Sequence, residues 1–368
     1  MSSSRRKFLT IVGGGVVLAA VPPAAFLATR TPHKALASWD EAGSYSDPRM
    51  NALSYGLLAP NPHNRQPWEA EMVGENAVNL WRDPDRNLPV TDPFGRQLTI
   101  GMGCFLELMI MASASYGHTV ETTLFPNGET GPVAHCLFKE TGAKPDPLFA
   151  FVMERRSHKE AFAPKPVPGQ AVEPLRTFAQ VYLDGADRDS LKRLAHDAWR
   201  TEAATPDAWQ ESIDLLRIGK AEINAQPDGI DVGGPMLESL ALLGILTREA
   251  ASDPHNPGSR DAIEGTADAI MSAPAITLTR TQGNRRIDQI EAGRKWLRLN
   301  LAATANGLAL RPVSQALQEY KEVEPMYKEI HRQFASNGET IQMLGLLGYG
   351  KPTPRTPRWS LPQRMKNG

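Results

Sequence analysis

Residues 59–68 read APNPHNRQPW, and this decapeptide constrains the fold more than any other stretch of the chain. It follows residues 48–58, whose initial proline suits the first turn of a helix. A residue that precedes proline is driven out of the helical region, so Pro60 and Pro62 force a loop. Trp68 closes that loop with a large aromatic side chain. We therefore expect a polar loop that is anchored by a tryptophan.

Helix and strand patterns alternate on both sides of this loop. In the first half the pattern predicts a helix over 98–116 and strands over 77–81, 119–125, 135–139 and 148–153. In the second half it predicts helices over 190–202, 208–216, 236–251 and 287–306, and strands over 275–281 and 343–349. The sequence therefore predicts an α+β fold, with antiparallel-rich sheets flanked by helices.

Two proline-rich segments, 141–147 and 163–169, divide the chain. We place a boundary between them, so that residues 38–150 form a first half and residues 151–368 a second. Residues 1–37 have a different character from both halves.

The first 37 residues are organised like an export signal. Arg5 and Arg6 precede an apolar run over residues 11–27, which is typical of a twin-arginine signal. Residues 35–37, Ala-Leu-Ala, fit a cleavage site, and an uncleaved membrane anchor is the alternative. We expect export by the twin-arginine translocase to the periplasm or another extracytoplasmic space. We expect no later segment that could span a membrane.

Composition and spacing argue against several kinds of site. The formal net charge is −1, so the chain has no global basic field to hold nucleic acid. The histidines lack metal-ligand spacing, and we expect no metal site. Cys104 and Cys136 do not form a disulfide framework by themselves, although an oxidising compartment would allow a bridge. We expect Cys104 to be a small core residue.

A basic run at residues 154–162, ERRSHKEAF, is a candidate binding site. Guanidinium, ammonium and hydroxyl groups held close together are the donors that a phosphate prefers. A solvated basic surface is the alternative interpretation. Two more segments stand out: residues 302–315, AATANGLALRPVSQ, and residues 342–352, QMLGLLGYGKP, which are followed by Arg355 and Arg358.

Together these four segments resemble the nitroreductase family of FMN-dependent oxidoreductases. The decapeptide is similar to the family pattern Pro-Ser-x-x-Asn-x-Gln-Pro-Trp, with Asn61 where serine is usual. The basic run is similar to Arg-Arg-Ser-x-Arg-x-Phe, with Lys159 in place of the later arginine and Phe162 one position late. The order of the segments resembles the single-chain branch, in which two degenerate halves imitate a dimer. The resemblance therefore implies a nitroreductase-like fold with one FMN between the halves.

The resemblance also implies which residues contact FMN. The basic run would hold the phosphate and ribityl chain, and the turn after residue 311 would approach the flavin ring near N5. The decapeptide would contact the cofactor across the interface, and the last segment would add positive charge. The implied residues are Asn61, Pro62, Asn64, Gln66, Arg155, Arg156, Ser157, Lys159, Pro312, Val313, Ser314, Lys351 and Arg355. No side chain is needed as a catalytic acid, because the flavin carries the chemistry.

Three functions remain open. The first is an FMN-dependent oxidoreductase that reduces a small-molecule acceptor, such as a nitroaromatic or quinone, through flavin N5. Because NAD(P)H is scarce outside the cytoplasm, an exported enzyme would take its electrons from a membrane or protein donor instead. The second is an FMN-binding or sequestering protein with little turnover, in which residues 219–258 cover the flavin or act as a movable lid. The third is a structural protein that has lost FMN.

Overall fold

The computed structural model describes residues 29–366, and its strands form two four-stranded antiparallel sheets and one short parallel pair. The strands are β1 (Trp68–Val73), β2 (Ala77–Arg82), β3 (His118–Leu124), β4 (Ala134–Glu140), β5 (Gln180–Tyr182), β6 (Leu216–Ile218), β7 (Ile230–Val232), β8 (Ala275–Gln282), β9 (Ala309–Pro312) and β10 (Glu339–Gly348). The sheet orders are β1-β2-β4-β3 and β5-β8-β10-β9, and β6 pairs with β7. The predicted α+β class with antiparallel sheets is confirmed.

Helices flank both sheets. They are α1 (His33–Glu41), α2 (Pro48–Gly56), α3 (Arg96–Ser115), α4 (Gly169–Val172), α5 (Gly185–Ala204), α6 (Pro206–Asp214), α7 (Gly219–Ala225), α8 (Pro235–Leu242), α9 (Arg248–Ser252), α10 (Pro257–Ser272), α11 (Arg286–Ala305) and α12 (Glu324–Phe334). Helices α3 and α11 pack against each other in the largest core cluster, which draws residues from both sheets.

The contact between α3 and α11 depends on two glycines. A Cβ atom on Gly103 would lie 2.2 Å from the Ile290 carbonyl oxygen, and one on Gly293 would lie 2.0 Å from the Ile100 carbonyl oxygen. Any larger residue would therefore separate the helices. Buried Glu107 adds an ion pair across the contact, with its Oε2 atom 2.6 Å from Arg294 Nε. The two halves of the chain thus share one core.

Some sequence expectations are wrong in detail. The strand predicted over residues 148–153 is a 3-10 helix, Pro147–Phe151, because Pro147 presets a helical φ and the Asp146 side chain accepts from Leu148 N at 2.9 Å. The helix predicted over 236–251 is divided into α8 and α9, between which Gly244 takes a φ of 70°.

Helix α3 corrects a further expectation. Within residues 29–366 it is the one helix long and apolar enough to cross a membrane, judged by length and composition alone. Because 83% of its most apolar window is buried inside the protein, its position is that of a core helix. Cys104 on this helix and Cys136 on β4 are both buried and free, so the core assignment of Cys104 is confirmed.

Most of the predicted signal segment, residues 1–28, lies outside the described residues. Its last part enters α1, where Ala35 is buried. Ala35 N donates to Asn224 Oδ1 at 3.0 Å, and its carbonyl accepts from Arg358 N at 2.8 Å. The predicted cleavage site at residues 35–37 therefore lies within a packed helix. The division of the chain at residue 150, which falls in the Pro147–Phe151 helix, stays a prediction.

Residues 353–366 return from the second sheet to the first. Met365 forms a bridge with Ala70 of β1, and Arg364 Nη2 lies 2.6 Å from Asp83 Oδ2. Trp359 N donates to Gln66 Oε1 at 3.0 Å. This segment thereby passes beside the loop of the decapeptide.

Candidate functional site

Two adjoining cavities lie against the decapeptide loop. The first, which we call the basic cavity, has a volume of about 200 Å³. The second, the apolar cavity, has a volume of about 210 Å³. The side chains that line both are Pro60, Asn61, His63, Ser157 and Pro312. Because these residues are shared, one elongated molecule could extend through both cavities.

Three arginines and a lysine supply the positive charge of the basic cavity, and Asp231 adds one negative charge to its wall. The basic residues are Arg155, Arg156, Lys159 and Arg358. Arg155 is only 3% exposed, and burial together with the charge of Arg156 lowers its pKa to about 10. Arg358 is equally buried, and burial with the charges of Arg155 and Arg156 lowers its pKa to about 9, against the opposing effect of Asp231. These arginines are therefore held close together at an energetic cost.

Within residues 29–366, none of Arg155, Arg156 and Arg358 forms an ion pair with a carboxylate at 4.0 Å or less. Arg155 Nη2 donates to the Leu58 carbonyl at 3.0 Å, and Arg358 Nη2 donates to the Ala59 carbonyl at 3.2 Å. The Nε atoms of all three arginines are buried without a hydrogen-bond partner. Buried guanidinium groups in this state can be compensated by a bound anion.

A second arginine group beside the loop has a carboxylate partner within the protein. Asp228, which is 3% exposed, lies between Arg65, Arg86 and Arg217. Its Oδ2 atom is 3.2 Å from Arg65 Nη1, and its Oδ1 atom is 2.9 Å from Arg217 Nη2. Arg65 belongs to the decapeptide, so this group fixes the loop to the segment after α7.

The decapeptide loop is held in an unusual conformation. His63, Asn64 and Gln66 have φ values of 46°, 52° and 52°, which are uncommon for residues other than glycine. Asn61 Oδ1 accepts from Gln66 N at 2.7 Å, and Gln66 Nε2 donates to the Pro227 carbonyl at 2.6 Å. Such strain persists only where the surroundings enforce it, and it clusters at binding sites.

The apolar cavity lies between α3, α11 and β10. Its walls include Ile100, Gly101, Cys104, Trp296 and Met343. A Cβ atom on Gly101 would lie 3.1 Å from Asn61 Cβ, so glycine allows the loop to approach the helix closely. Burial raises the pKa of the Cys104 thiol to about 12, which keeps it neutral. The part of the cavity between these walls therefore suits a mostly apolar group.

The structure brings most of the predicted site residues together. Those that line one or both cavities are Asn61, Pro62, Asn64, Arg155, Arg156, Ser157, Lys159, Pro312 and Ser314.

The other four predicted site residues do not line either cavity. The Gln66 side chain is hydrogen-bonded to the backbone of Pro227 and Trp359, and Val313 is buried among core residues. Lys351 is exposed, while Arg355 Nη1 donates to Asp40 Oδ1 at 2.7 Å.

Several lining residues were not in the predicted set. Arg358, three positions after the predicted Arg355, reaches the basic cavity, while His63 lines both cavities. Trp296, Met343 and Gly101 form walls of the apolar cavity. Arg358 belongs to a basic segment that was expected from the sequence to add positive charge, although it was not among the residues expected to contact FMN. His63 lies in the decapeptide itself. Trp296, Met343 and Gly101 have no signal, because such residues on core helices and strands are usually packing residues.

The cover expected over residues 219–258 is largely elsewhere. Of this segment, only Gly229, Ile230 and Asp231 line the basic cavity, and none of it lines the apolar cavity. Helix α8 instead borders a separate, open cavity and leaves Leu242 largely exposed. The expectation that this apolar helix covers a flavin ring is therefore not met in this structure. Within residues 29–366, no group of His, Cys, Asp or Glu is arranged to hold a metal ion.

Known proteins that are similar to this chain include some that are named as nitroreductases. No protein-family model matches the chain. A Mycobacterium tuberculosis protein named "Putative NAD(P)H nitroreductase Rv3131" is 27% identical over 330 residues, which cover 84% of this chain and 89% of that protein. A second protein of that organism, "Putative NAD(P)H nitroreductase acg", is 35% identical over 82 residues, or 22% of this chain and 24% of its own length.

Solved structures with related descriptions align less closely. The FMN-dependent nitroreductase NfnB from Mycobacterium smegmatis, in complex with NADPH, gives a TM-score of 0.38 at 18% identity and covers 60% of this chain and 98% of its own. A nitroreductase with bound FMN from Bacteroides fragilis gives 0.33 at 11% identity, with 58% and 94% covered. Scores of this size do not define a common fold by themselves.

Proposed function

We propose that this chain is an FMN-dependent oxidoreductase of nitroreductase type that reduces a small-molecule acceptor. One observation carries the proposal: a cavity lined by buried arginines without carboxylate partners adjoins a cavity with apolar walls. FMN has the same division, with an anionic phosphate at one end and a planar ring system at the other. A protein named as a nitroreductase aligns with 84% of this chain at 27% identity, which supports the same class.

The residues present fit this cofactor. Arg155, Arg156 and Arg358, which line the basic cavity, would hold the phosphate through their guanidinium groups. Ser157 and Asn61, which line both cavities, would hold the polar chain between phosphate and ring. Bound FMN would supply hydride and electron transfer at its ring, while this chain binds, orients and shields the ring from water.

The single-chain arrangement and export belong to the same proposal. Each half contributes to the cavities, since the loop of residues 59–68 precedes the boundary and Arg155 and Trp296 follow it. One cofactor per chain would therefore lie between the halves. The arginine pair Arg5-Arg6 supports export by the twin-arginine translocase, and an exported enzyme would suit a membrane or protein electron donor.

The test is to purify the full chain and release its cofactor by heat. We expect one FMN per chain by absorbance and chromatography, either as purified or after reconstitution. After photoreduction, the flavin should be reoxidised rapidly by a quinone or nitroaromatic. A flavin that reduces but ignores every acceptor would favour sequestration, and a protein that never binds FMN would contradict the proposal.

A further inference from the structure

A third cavity, which we call the tryptophan cavity, adjoins the candidate site. Its volume is about 360 Å³, within the range of small-molecule sites. It lies between α5, α6, α10 and the segment that begins in β9. His63 and Pro312 line this cavity as well as the basic and apolar cavities. The tryptophan cavity is therefore separated from the candidate site by single side chains.

Two indole rings in its wall are held by hydrogen bonds. Trp199 Nε1 donates to the Ile263 carbonyl at 2.9 Å, and Trp209 Nε1 donates to the Ala251 carbonyl at 3.0 Å. Because both N–H groups are already satisfied, the rings contribute mainly apolar surface to the cavity. Fixed indoles favour a planar aromatic ligand, which can stack or meet them edge to face.

The same wall contains a buried carboxyl group. Glu202 is only 3% exposed, and its Oε2 atom has no hydrogen-bond partner at normal geometry. Its Oε1 atom has a long contact of 3.5 Å with Gln315 Nε2, and the Gln318 side chain is a second polar neighbour of the carboxyl group. A buried polar atom left in this state requires an explanation, and a ligand with a polar atom would provide one.

Burial is also the main reason why the pKa of Glu202 is higher than usual. It raises the pKa of Glu202 to about 7, with a smaller contribution from Glu211, while Gln318 and Gln315 oppose the shift. The other ionisable groups around the cavity are His63 and Arg311 in its wall and the nearby Tyr320. In its protonated form Glu202 can donate a hydrogen bond.

We propose that the tryptophan cavity binds a neutral planar aromatic carbonyl compound, such as a two-ring quinone, with Glu202 donating a hydrogen bond to a carbonyl oxygen. Trp199 and Trp209 would contact the ring. The role of this ligand as electron acceptor rests on the proposed function, but its binding requires only residues of this cavity. The site is thus distinct from the place proposed for the flavin ring.

The test uses the full chain without cofactor and 2,3-dimethyl-1,4-naphthoquinone, whose substituted ring does not react with thiols. Equilibrium dialysis should show binding at pH 6 that is roughly tenfold weaker at pH 8, as the donating form of Glu202 is lost. Glu202→Leu should bind about tenfold more weakly at pH 6. Glu202→Gln keeps a donor, so its affinity should be the same at both pH values.

Matched variants distinguish this site from nonspecific binding. Trp209→Leu should weaken binding by about two- to tenfold, whereas Trp81→Phe on β2 should leave it unchanged. Thermal unfolding would confirm that each variant is folded. Unaltered binding in both Glu202→Leu and Trp209→Leu would overturn the inference, as would a wild-type chain that binds FMN but not the naphthoquinone. Naphthoquinone binding without any FMN binding would support this cavity and contradict the proposed function instead.

Discussion

Two arginine groups lie on either side of the same loop, and they differ in one respect. Arg65, Arg86 and Arg217 surround the buried carboxylate of Asp228. Arg155 and Arg358 are just as buried but contact backbone carbonyls. The first group is complete within the protein. The second has no carboxylate partner among the described residues, and on the proposed function an anion from outside would supply it. Composition alone could not separate the two groups.

The comparison predicts its largest effect at Asp228. Asp228→Asn leaves three arginines without their shared counter-ion, so the free energy of unfolding should fall by about 3–5 kcal/mol. Urea unfolding of the full chain measures this change. Asp40→Asn is the control, because its ion pair with Arg355 is exposed and should contribute less than about 1 kcal/mol. Equal losses in the two variants would remove the distinction between the groups.

Arg155 should behave in the opposite way. Arg155→Met removes a buried charge that lacks a counter-ion, so the unfolding free energy of the cofactor-free chain should change by less than about 1 kcal/mol. FMN affinity should fall by roughly 10–100-fold, as expected for a lost charged hydrogen bond. Flavin fluorescence titration measures the affinity. A large loss of stability with unchanged FMN affinity would assign Arg155 to the structural group.

Glu202 extends the comparison to a buried group of opposite sign. Its pKa is raised from 4.5 to about 7, so the folded chain binds more protons than the unfolded chain between these values. The contribution of Glu202 to stability is therefore full below pH 4.5 and is lost as pH rises through 7. Between pH 5 and pH 8, the free energy of unfolding of Glu202→Gln should rise relative to that of the wild type by on the order of 2 kcal/mol. Parallel urea curves test this, and a constant difference would contradict it.

The smallest effect is expected at Lys159. Its ion pair with Asp231 has an N–O distance of 2.8 Å, but half of the lysine side chain is exposed. Lys159→Met should change the unfolding free energy by less than about 1 kcal/mol and FMN affinity by less than about fivefold. The same two titrations apply. A loss as large as that of Arg155→Met would show that exposure does not rank the basic residues of this cavity.

Local sterics made part of this architecture predictable. Pro60 and Pro62 set a limit beyond which α2 cannot continue, and Trp68 is buried as expected. The sequence predicted strands over 275–281 and 343–349. In the structure, β8 covers Ala275–Gln282 and β10 covers Glu339–Gly348. The basic run was singled out as a candidate site because guanidinium, ammonium and hydroxyl groups can donate hydrogen bonds to a phosphate.

Long-range contacts account for what the sequence did not indicate. Whether an arginine meets a carboxylate depends on pairs such as Arg65 and Asp228, which are 163 residues apart. Pro312 and Val313 are neighbours, yet only Pro312 reaches the basic cavity, because side chains along an extended segment alternate between faces. Such outcomes are set by packing, and no local pattern encodes them.

Residues 353–366 have a consequence for the order of biosynthesis. Arg358 contributes to the basic cavity, and Trp359 N donates to Gln66 in the loop. A ribosome makes these residues after the loop, the basic run and both central helices. A nascent chain that lacks them lacks one wall of the basic cavity, so on the proposed function cofactor capture would follow synthesis of this segment. Retention of the flavin would then report that the polypeptide was translated to at least this point.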